Sequence, residues 1–505
     1  MRVIFPLRQP RPISLEKLHY TYLFMSNDIS RRDALKTGVA MAVSPALLTV
    51  HAASDPVKVG IIGLGARGSY LTSRLAHLNT ARCVALCDVN PQAMEANARK
   101  LTTNPKKYLN YHDLLADKEV EAVIIAVPLY LHFPITRDAL LAGKHVFCEK
   151  SLVFKPEEVH ALRSLAAEHP KQILQVGLQR RYSLYFQSVK RMVDEGALGV
   201  VTHIQGQWHR NPGWVMQPGG KDNPQNWRMF REYSGGLTAE LASHHIDVAS
   251  WFFGASPEHV IGVGGLDFRR DGREVFDNIQ LIYSYPNGRK FMFSAITTSQ
   301  HLPMLASQRS EVGMVIMGTA GAVEITLGVE PALPTALWFR ESAPHIGVPI
   351  MTPVTEVDEG NDSFLARESK IARRWLFDKG ILSPQEDRNP VDTELESFLS
   401  DTRSGKRPLA DLEVGLANST AVILSNIAMD ENRRVAFKEI DTMGLPAPVA
   451  PPAAPAAAPP TTDAQPAPTT PADPPSVTAT KPPASTPKKI VPHVLPKTPK
   501  SDSNL

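Results

Sequence analysis

Cysteine is scarce in this chain, with three among 505 residues, and any disulfide framework is thereby excluded. Cys83 and Cys87 lie four apart in an apolar run that reads as a strand, which separates them by ~13 Å, beyond the reach of a bridge. Cys148 stands alone. This scarcity suits folding in a reducing cytosol, whether or not export follows, so it leaves the compartment open. An excess of one charge is missing too. A formal net charge of +3 gives no footprint for nucleic acid. No apolar run reaches the ~20 residues of a membrane-spanning helix, so no membrane span is expected, and there is no internal repeat. What remains is the composition of a globular protein, 43% hydrophobic and 21% charged, with room for two domains and appendages.

Proline, by contrast, is plentiful at 43 residues, and it gathers with alanine and threonine beyond Leu445. Such a segment has too little apolar area to offset its ordering entropy. Residues 441–505 are therefore expected to form an extended tail, lysine-bearing at Lys488, Lys489, Lys497 and Lys500. At the other end, Ser30-Arg31-Arg32-Asp33-Ala34-Leu35-Lys36 sets paired arginines before a short apolar stretch. Residues 37–53, interrupted by Gly38, Ser44 and Pro45, are too few to cross ~30 Å of hydrocarbon. They read as the apolar core of a cleavable signal, with His51-Ala52-Ala53 as the cleavage site. Paired arginines mark the twin-arginine route for folded cargo, so the expected location is the periplasm, and the cytoplasm if the segment is only a basic amphipathic N-terminus. Ala34 stands where such signals carry a large apolar residue, and Met25 offers a later start. Residues 1–53 are left out of the fold.

The run Val57-Lys58-Val59-Gly60-Ile61-Ile62 reads as a buried strand that enters Gly63-Leu64-Gly65-Ala66-Arg67-Gly68 and then a helical stretch, Ser69 to Leu78. Strand, glycine loop and helix in that order make a dinucleotide fingerprint. Gly63 permits the tight turn, Gly65 lets the backbone approach a pyrophosphate, and Gly68 allows helix and strand to pack closely. A second apolar run, 83–87, ends in Asp88, placed to accept from the adenosine ribose. With neither Val89 nor Asn90 offering a cation for a 2′-phosphate, NAD is expected over NADP. The alternative for Asp88 is a helix N-cap ahead of Pro91. Strand and helix alternate onward through 122–128, 134–142 and 145–150. The pattern argues a doubly wound parallel sheet over residues 54–176, with its ligand at the carboxyl edges of the strands, where Pro128, Glu149 and Lys150 fall.

The fingerprint, Ala126-Val127-Pro128 with His132 four beyond, Ala142-Gly143-Lys144-His145-Val146 and Cys148-Glu149-Lys150 together resemble the glucose-fructose oxidoreductase and inositol dehydrogenase family, Gfo/Idh/MocA. The resemblance runs from Val57 to about Phe437 and includes Glu394-Leu395-Glu396-Ser397-Phe398 and 405–411. It implies that Lys150 lies between nicotinamide and substrate, with Ala66, Arg67, His132 and Glu149 among the cofactor's neighbours. Ser151 replaces the proline of the family's Glu-Lys-Pro motif, which loosens the backbone there.

Beyond Val176 the pattern changes. Helices are expected over 182–195 and 240–253, and strands over 200–208, 259–265, 278–285 and 290–297, the last two joined by the hairpin signal Pro286-Asn287-Gly288. Residues 177–440 thus read as an α+β domain with an open, mainly antiparallel sheet, which the resemblance associates with homo-oligomer contacts. On a regular helix Glu240, His244 and Asp247 share an arc of ~60°. An imidazole with a reference pKa of ~6.5 can take a proton from an alcohol near neutral pH, and adjacent carboxylates can orient it. The family's Asp-x-x-x-His-x-x-Asp pattern implies that His244 is the base and Asp247 the second acid, with Glu240 replacing an aspartate. His245, rotated ~100° away, is expected to be structural. Arg181 and Tyr182, and Trp227 and Arg228, are the expected substrate contacts, with Trp208-His209-Arg210-Asn211 and Asn226 beside them, because aromatic faces with planar donors suit polyhydroxylated rings. The histidines form no ligand-spaced set with the cysteines, so no metal is expected.

These readings converge on an NAD-dependent oxidoreductase acting on a sugar or sugar derivative. Export adds a constraint, because free nicotinamide nucleotides are scarce outside the cytosol. The cofactor must then be loaded first and regenerated in every cycle, either by reducing a second sugar or by returning the hydride after an elimination, as in NAD-dependent glycosidases. A nucleotide-bound sugar sensor without catalysis is the third alternative.

Overall fold

The computed structural model describes residues 55–210, 214–298, 312–327, 335–340 and 388–445. The expected export signal and nearly all of the expected tail lie outside them. Six parallel strands make the first sheet, β1 (Val57–Ile62), β2 (Ala81–Cys87), β3 (Lys106–Tyr108), β4 (Ala122–Ile125), β5 (His145–Cys148) and β6 (Leu174–Val176), in the order β3-β2-β1-β4-β5-β6. Around it lie α1 (Ala66–Leu75), α2 (Pro91–Ala98), α3 (Tyr111–Ala116), α4 (His132–Leu141) and α5 (Pro156–Glu168). The order reverses between β1 and β4, and the carboxyl ends of those strands open the crevice where doubly wound sheets bind ligands.

The second sheet contains β7 (Val201–His209), β8 (His259–Gly265), β9 (Asn278–Ser284), β10 (Lys290–Ile296), β11 (Val312–Gly318), β12 (Gly321–Leu327), β13 (Thr335–Arg340) and β14 (Val435–Ala436). Its order is β13-β12-β11-β7-β10-β9-β8-β14. Among the described strands only β7 and β10 pair in parallel, so the sheet is mixed and mainly antiparallel. Asn287 and Gly288 both take positive φ, 63° and 77°, as the tight hairpin between β9 and β10 requires. The inner face of the sheet packs on α6 (Leu184–Asp194) and α7 (Ser243–Phe253).

Two late helices tie the halves together. α8 (Pro390–Ser404) presents Val391, Leu395, Phe398 and Leu399 on one face. That face enters the core of the nucleotide domain, where Phe398 meets Phe147 edge-on at 5.8 Å. The helix therefore lies within the stretch expected to form the second domain yet completes the first. α9 (Leu412–Asp430) is long and apolar enough to cross a membrane, contrary to the reading of the sequence. It is a core helix instead, 67% of its most apolar stretch buried, and it approaches β6 so closely that a Cβ on Gly415 would sit 2.4 Å from Val176 Cγ2. The fold also runs past 441, since Gly444 packs against the Glu157 backbone.

Candidate active site

The glycine loop divides its three glycines between two tasks. Gly63 adopts φ +88°, and a Cβ there would lie 2.6 Å from the Ala126 carbonyl oxygen. A Cβ on Gly68 would stand 1.9 Å from the Gly63 carbonyl oxygen, so both positions are closed to side chains by the protein itself. Nothing lies within 4 Å of the place a Gly65 Cβ would take. α1 starts at Ala66 with Gly65 as N-cap and no side chain capping it, leaving first-turn N–H groups facing that clearing. Open space beside uncapped donors is the cradle a pyrophosphate needs. Asp88, at the end of β2, accepts from Leu64 N–H at 2.6 Å and Asn90 N–H at 2.8 Å. The N-cap of α2 is Asn90, so Asp88 braces the glycine loop rather than capping that helix.

At the neighbouring strand ends the contacts correct part of the expectation. Pro128 opens the turn after β4 as expected. His132, however, is buried, with Nδ1 2.7 Å from Ser151 O and Nε2 3.0 Å from Val127 O. Both ring nitrogens face backbone carbonyls, and the neutral ring can donate to one of them, so His132 fastens a strand end and is removed from the cofactor's contacts. Burial pushes its pKa down. Arg67 also turns into the protein, donating from Nε to Glu149 at 2.6 Å and from Nη2 to Gln179 at 3.0 Å, with Glu394 4.0 Å away. Its guanidinium is held by the Glu149 carboxylate and Gln179, while its backbone N–H lies in the first turn of α1. The Lys150–Ser151 peptide is cis.

The helix carrying the imidazole starts irregularly. Thr238–Ala242 forms a π turn before α7 begins at Ser243, and π turns recur at functional sites. The wider turn moves Glu240 away from the angle that a regular helix would give it relative to His244 and Asp247, which both lie in the regular α7. Glu240 accepts from Arg228 Nε at 2.9 Å, and Asp247 holds Arg181 through both of its oxygens, at 2.9 and 3.1 Å from Nε. Neither acid bonds His244, so the expected carboxylate support of the ring is absent, because each acid is taken by an arginine. Cations surround the imidazole instead. Burial, together with Lys150 and Arg180, drives the pKa of His244 well below 6.5, while the ring keeps partial exposure. It packs 5.7 Å from Trp208 and makes no hydrogen bond among the described residues.

Lys150 joins the two faces. Its Nζ donates to the Ala239 and Glu240 carbonyls at 3.2 and 3.0 Å, both in the π turn. Burial lowers the ammonium's pKa against the pull of Glu240 and Glu149. For Glu240 itself burial would raise the pKa, but Lys150 and Arg228 outweigh it and hold the carboxyl below its ordinary value.

The expected substrate contacts divide. Arg228 lies over Trp227 at 4.2 Å and over Trp214 at 5.5 Å, bringing that aromatic pair to Glu240. Tyr182 is not a contact: it is 1% exposed and its hydroxyl accepts from Ala410 N–H at 3.2 Å, so packing removes it from any cleft. Arg181 is committed to Asp247. Asn226 is spent on the Gln217 and Gly220 backbone, and His209 points to the opposite sheet face from Trp208, as alternation in a strand demands. Arg210 lies over Trp214 at 5.2 Å, Asn211 is outside the described residues, and His245 is fully buried. Two participants were missed. Arg180 stands beside the expected Arg181 with nothing in the local pattern to mark it, and Glu394 arrives from α8, a placement no local spacing reveals.

Comparison with known proteins agrees with this fold. Residues 57–178 match the family model described as the GFO/IDH/MocA oxidoreductase family, NAD-binding Rossmann fold, and residues 186–324 match the GFO/IDH/MocA C-terminal domain. Between them they span more than half the chain. Inositol 2-dehydrogenase of Salmonella typhimurium is 32% identical over 196 residues, 39% of this chain and 54% of that protein. The inositol 2-dehydrogenase of Rubrobacter xylanophilus is 29% identical over 275 residues, 54% of this chain and 72% of its own length. The chain thus spans about half the length of some of the curated relatives it matches. Among solved structures, aldose-aldose oxidoreductase from Caulobacter crescentus, complexed with glycerol, superposes with TM-score 0.57 at 19% identity, covering 75% of this chain and 99% of that one. Scyllo-inositol dehydrogenase from Lactobacillus casei, with bound NAD(H) and scyllo-inositol, gives TM-score 0.54 at 19% identity over 76% of this chain and 99% of its own. At such identities the superpositions establish a shared fold.

Proposed function

Because the chain belongs to the GFO/IDH/MocA oxidoreductase family, we propose that it is an NAD-dependent oxidoreductase of a sugar, sugar derivative or cyclitol, with His244 as general base. The observation that carries this reading is the position of Lys150. An ammonium has three donors, and two are fixed on the carbonyls of the turn that leads into His244. The third is left for a substrate oxygen close to the imidazole. Bound NAD supplies the hydride acceptor for this chemistry. His244 is held neutral by burial and by the cations beside it, so at pH 7 it can accept the hydroxyl proton. The Trp227–Arg228 face offers a sugar ring both a stacking surface and hydroxyl partners. The Gly65 clearing and the uncapped start of α1 are where the pyrophosphate would rest.

The test is to purify the protein, identify any nucleotide that co-elutes, and follow reduced-nicotinamide absorbance across a panel of cyclitols, hexoses and glycosides. Lys150→Ala and His244→Ala should each abolish turnover while the nucleotide stays bound. Full activity in the His244 variant would remove the base. Sugar release from a glycoside with no net absorbance change would instead favour the hydrolase alternative.

Two further readings belong to this proposal. Export by the twin-arginine route to the periplasm is supported by Arg31 and Arg32 and fits the three buried, unbridged cysteines. Homo-oligomer formation is supported by the outer face of the second sheet, where Ile261, Val263 and Ile282 are 43%, 65% and 41% exposed along an apolar groove that also includes Met292.

A further inference from the structure

Among the described residues Glu149, Glu240 and Asp247 each have a cation, but one cation has no carboxylate within bonding distance. Glu149 is held by Arg67, Glu240 by Arg228 and Asp247 by Arg181, while burial pushes the pKa of Glu394 well above its ordinary value. Arg180 is left over. It is 6% exposed, and among the described residues the one polar contact of its guanidinium is the thioether of Met314, 3.7 Å from Nη1. Its guanidinium carbon lies 5.4 Å from the Phe186 ring and 6.0 Å from Trp208. Asp247 attracts it, but both oxygens of that acid are engaged by Arg181. Burial pushes its pKa down to about 9, the mark of a cation that lacks its counter-ion. Buried charges are ordinarily paired, and a planar fork of five donors matches a carboxylate.

Arg180 also has a definite place. It shares Trp208 with His244, and its charge is among those depressing the imidazole. Resting on the oxidoreductase reading above, we propose that the substrate is a sugar acid whose carboxylate binds Arg180 beside the proton-accepting imidazole. A monoanion suits the site better than a phosphate dianion, because the other guanidiniums are paired and Lys150 has only one donor left. Neutralising Arg180 also removes one of the fields that weaken the base. A carboxylate-bearing substrate thus strengthens His244 when it binds, and its advantage should appear in kcat as well as in KM.

The test uses the full chain loaded with NAD, reading tryptophan fluorescence and melting temperature with D-glucuronate and D-galacturonate against D-glucose, D-galactose and glucose 6-phosphate. The uronates should bind ~100-fold more tightly than the matching hexoses, the scale of a charge-assisted pair. Arg180→Met should shrink that ratio to a few-fold and raise the melting temperature of the protein without sugar. Arg180→Lys should retain part of the ratio. A purely structural Arg180 would instead give a lower melting temperature in Arg180→Met with the ratio unchanged, which would overturn the proposal. Equal binding of uronates and hexoses, no binding of either, or tighter binding of the phosphate would overturn it as well. Failure of every sugar to reduce the nicotinamide would sink the oxidoreductase reading, whereas the binding ratio judges Arg180 separately.

Discussion

The two sides of the cleft are built from different materials. On the nucleotide side the working parts are backbone: a glycine at positive φ, a helix start without a cap, and carbonyls so close that a methyl group cannot enter. On the imidazole side the working parts are long side chains held by one another, with Arg228 on Glu240, Arg181 on Asp247 and Lys150 on two carbonyls of a π turn. Backbone cradles tolerate almost no substitution but need few partners. Charged networks tolerate some exchange but fail when one member leaves its partner buried and unpaired.

The largest effects should come from the glycines, and they should differ. Gly68→Ala or Gly63→Ala forces atoms together, and each should destabilise the apo protein enough to cut soluble yield sharply. Gly65→Ala meets open space at φ −64°, so its melting temperature should stay within about 1 °C of wild type, a surface-like change, while NAD affinity falls. Calorimetry of the apo proteins beside nucleotide titration separates the two. If Gly65→Ala kept normal NAD binding, the clearing would not be a phosphate site.

This contrast also explains what could be read from the chain alone. The glycine spacing, the strand before it and Asp88 beyond it are local, so the nucleotide domain and its ligand edge were legible in residues 57–150. Tyr182 and His132 were misjudged because polarity in a sequence does not reveal burial, and both prove to be internal fasteners. The supposed acid support of His244 fails for a different reason: Arg228 and Arg181, both outside the helix, take the two acids, and a π turn that no residue pattern announces moves Glu240. Arg180 and Glu394 gain meaning only from residues far along the chain.

On the imidazole side, His244→Gln should lower kcat/KM by ~10²–10⁴, the scale of a lost general base, with NAD affinity unchanged. The wild-type pH profile carries the sign. With its pKa well below 6.5, His244 stays unprotonated on the acid side of neutrality, so activity should persist well below pH 6.5 before falling. A profile breaking at or above 6.5 would mean that the base is another group or that the cations do not act on it. Asp88→Ala comes next, raising the Kd for NAD by ~10–100-fold through the loss of charge-assisted bonds and the loosened Leu64 N–H.

The smallest effect tests the seam between the two sides. Glu394 is fully buried beneath Arg67 and Glu149, with both oxygens lacking a hydrogen-bond partner. Burial, reinforced by Glu149, raises its pKa well above 4.5. Between those two values the unfolded chain ionises this carboxyl while the native protein keeps it protonated, so folding binds more protons and stability declines as pH rises. The buried histidines have the opposite sign: His132, His244 and His245 have lowered pKa values, so their contribution is complete above 6.5 and is lost as pH falls below it. Glu394→Gln should therefore match wild type near pH 4.5 and become the more stable protein at pH 8, by about 1–2 kcal/mol, while the acid limb set by the histidines is unchanged. Melting curves of both proteins across that range decide it. A difference that is constant with pH, or that grows toward acid, would show Glu394 ionised in the native state and paired with Arg67 in earnest.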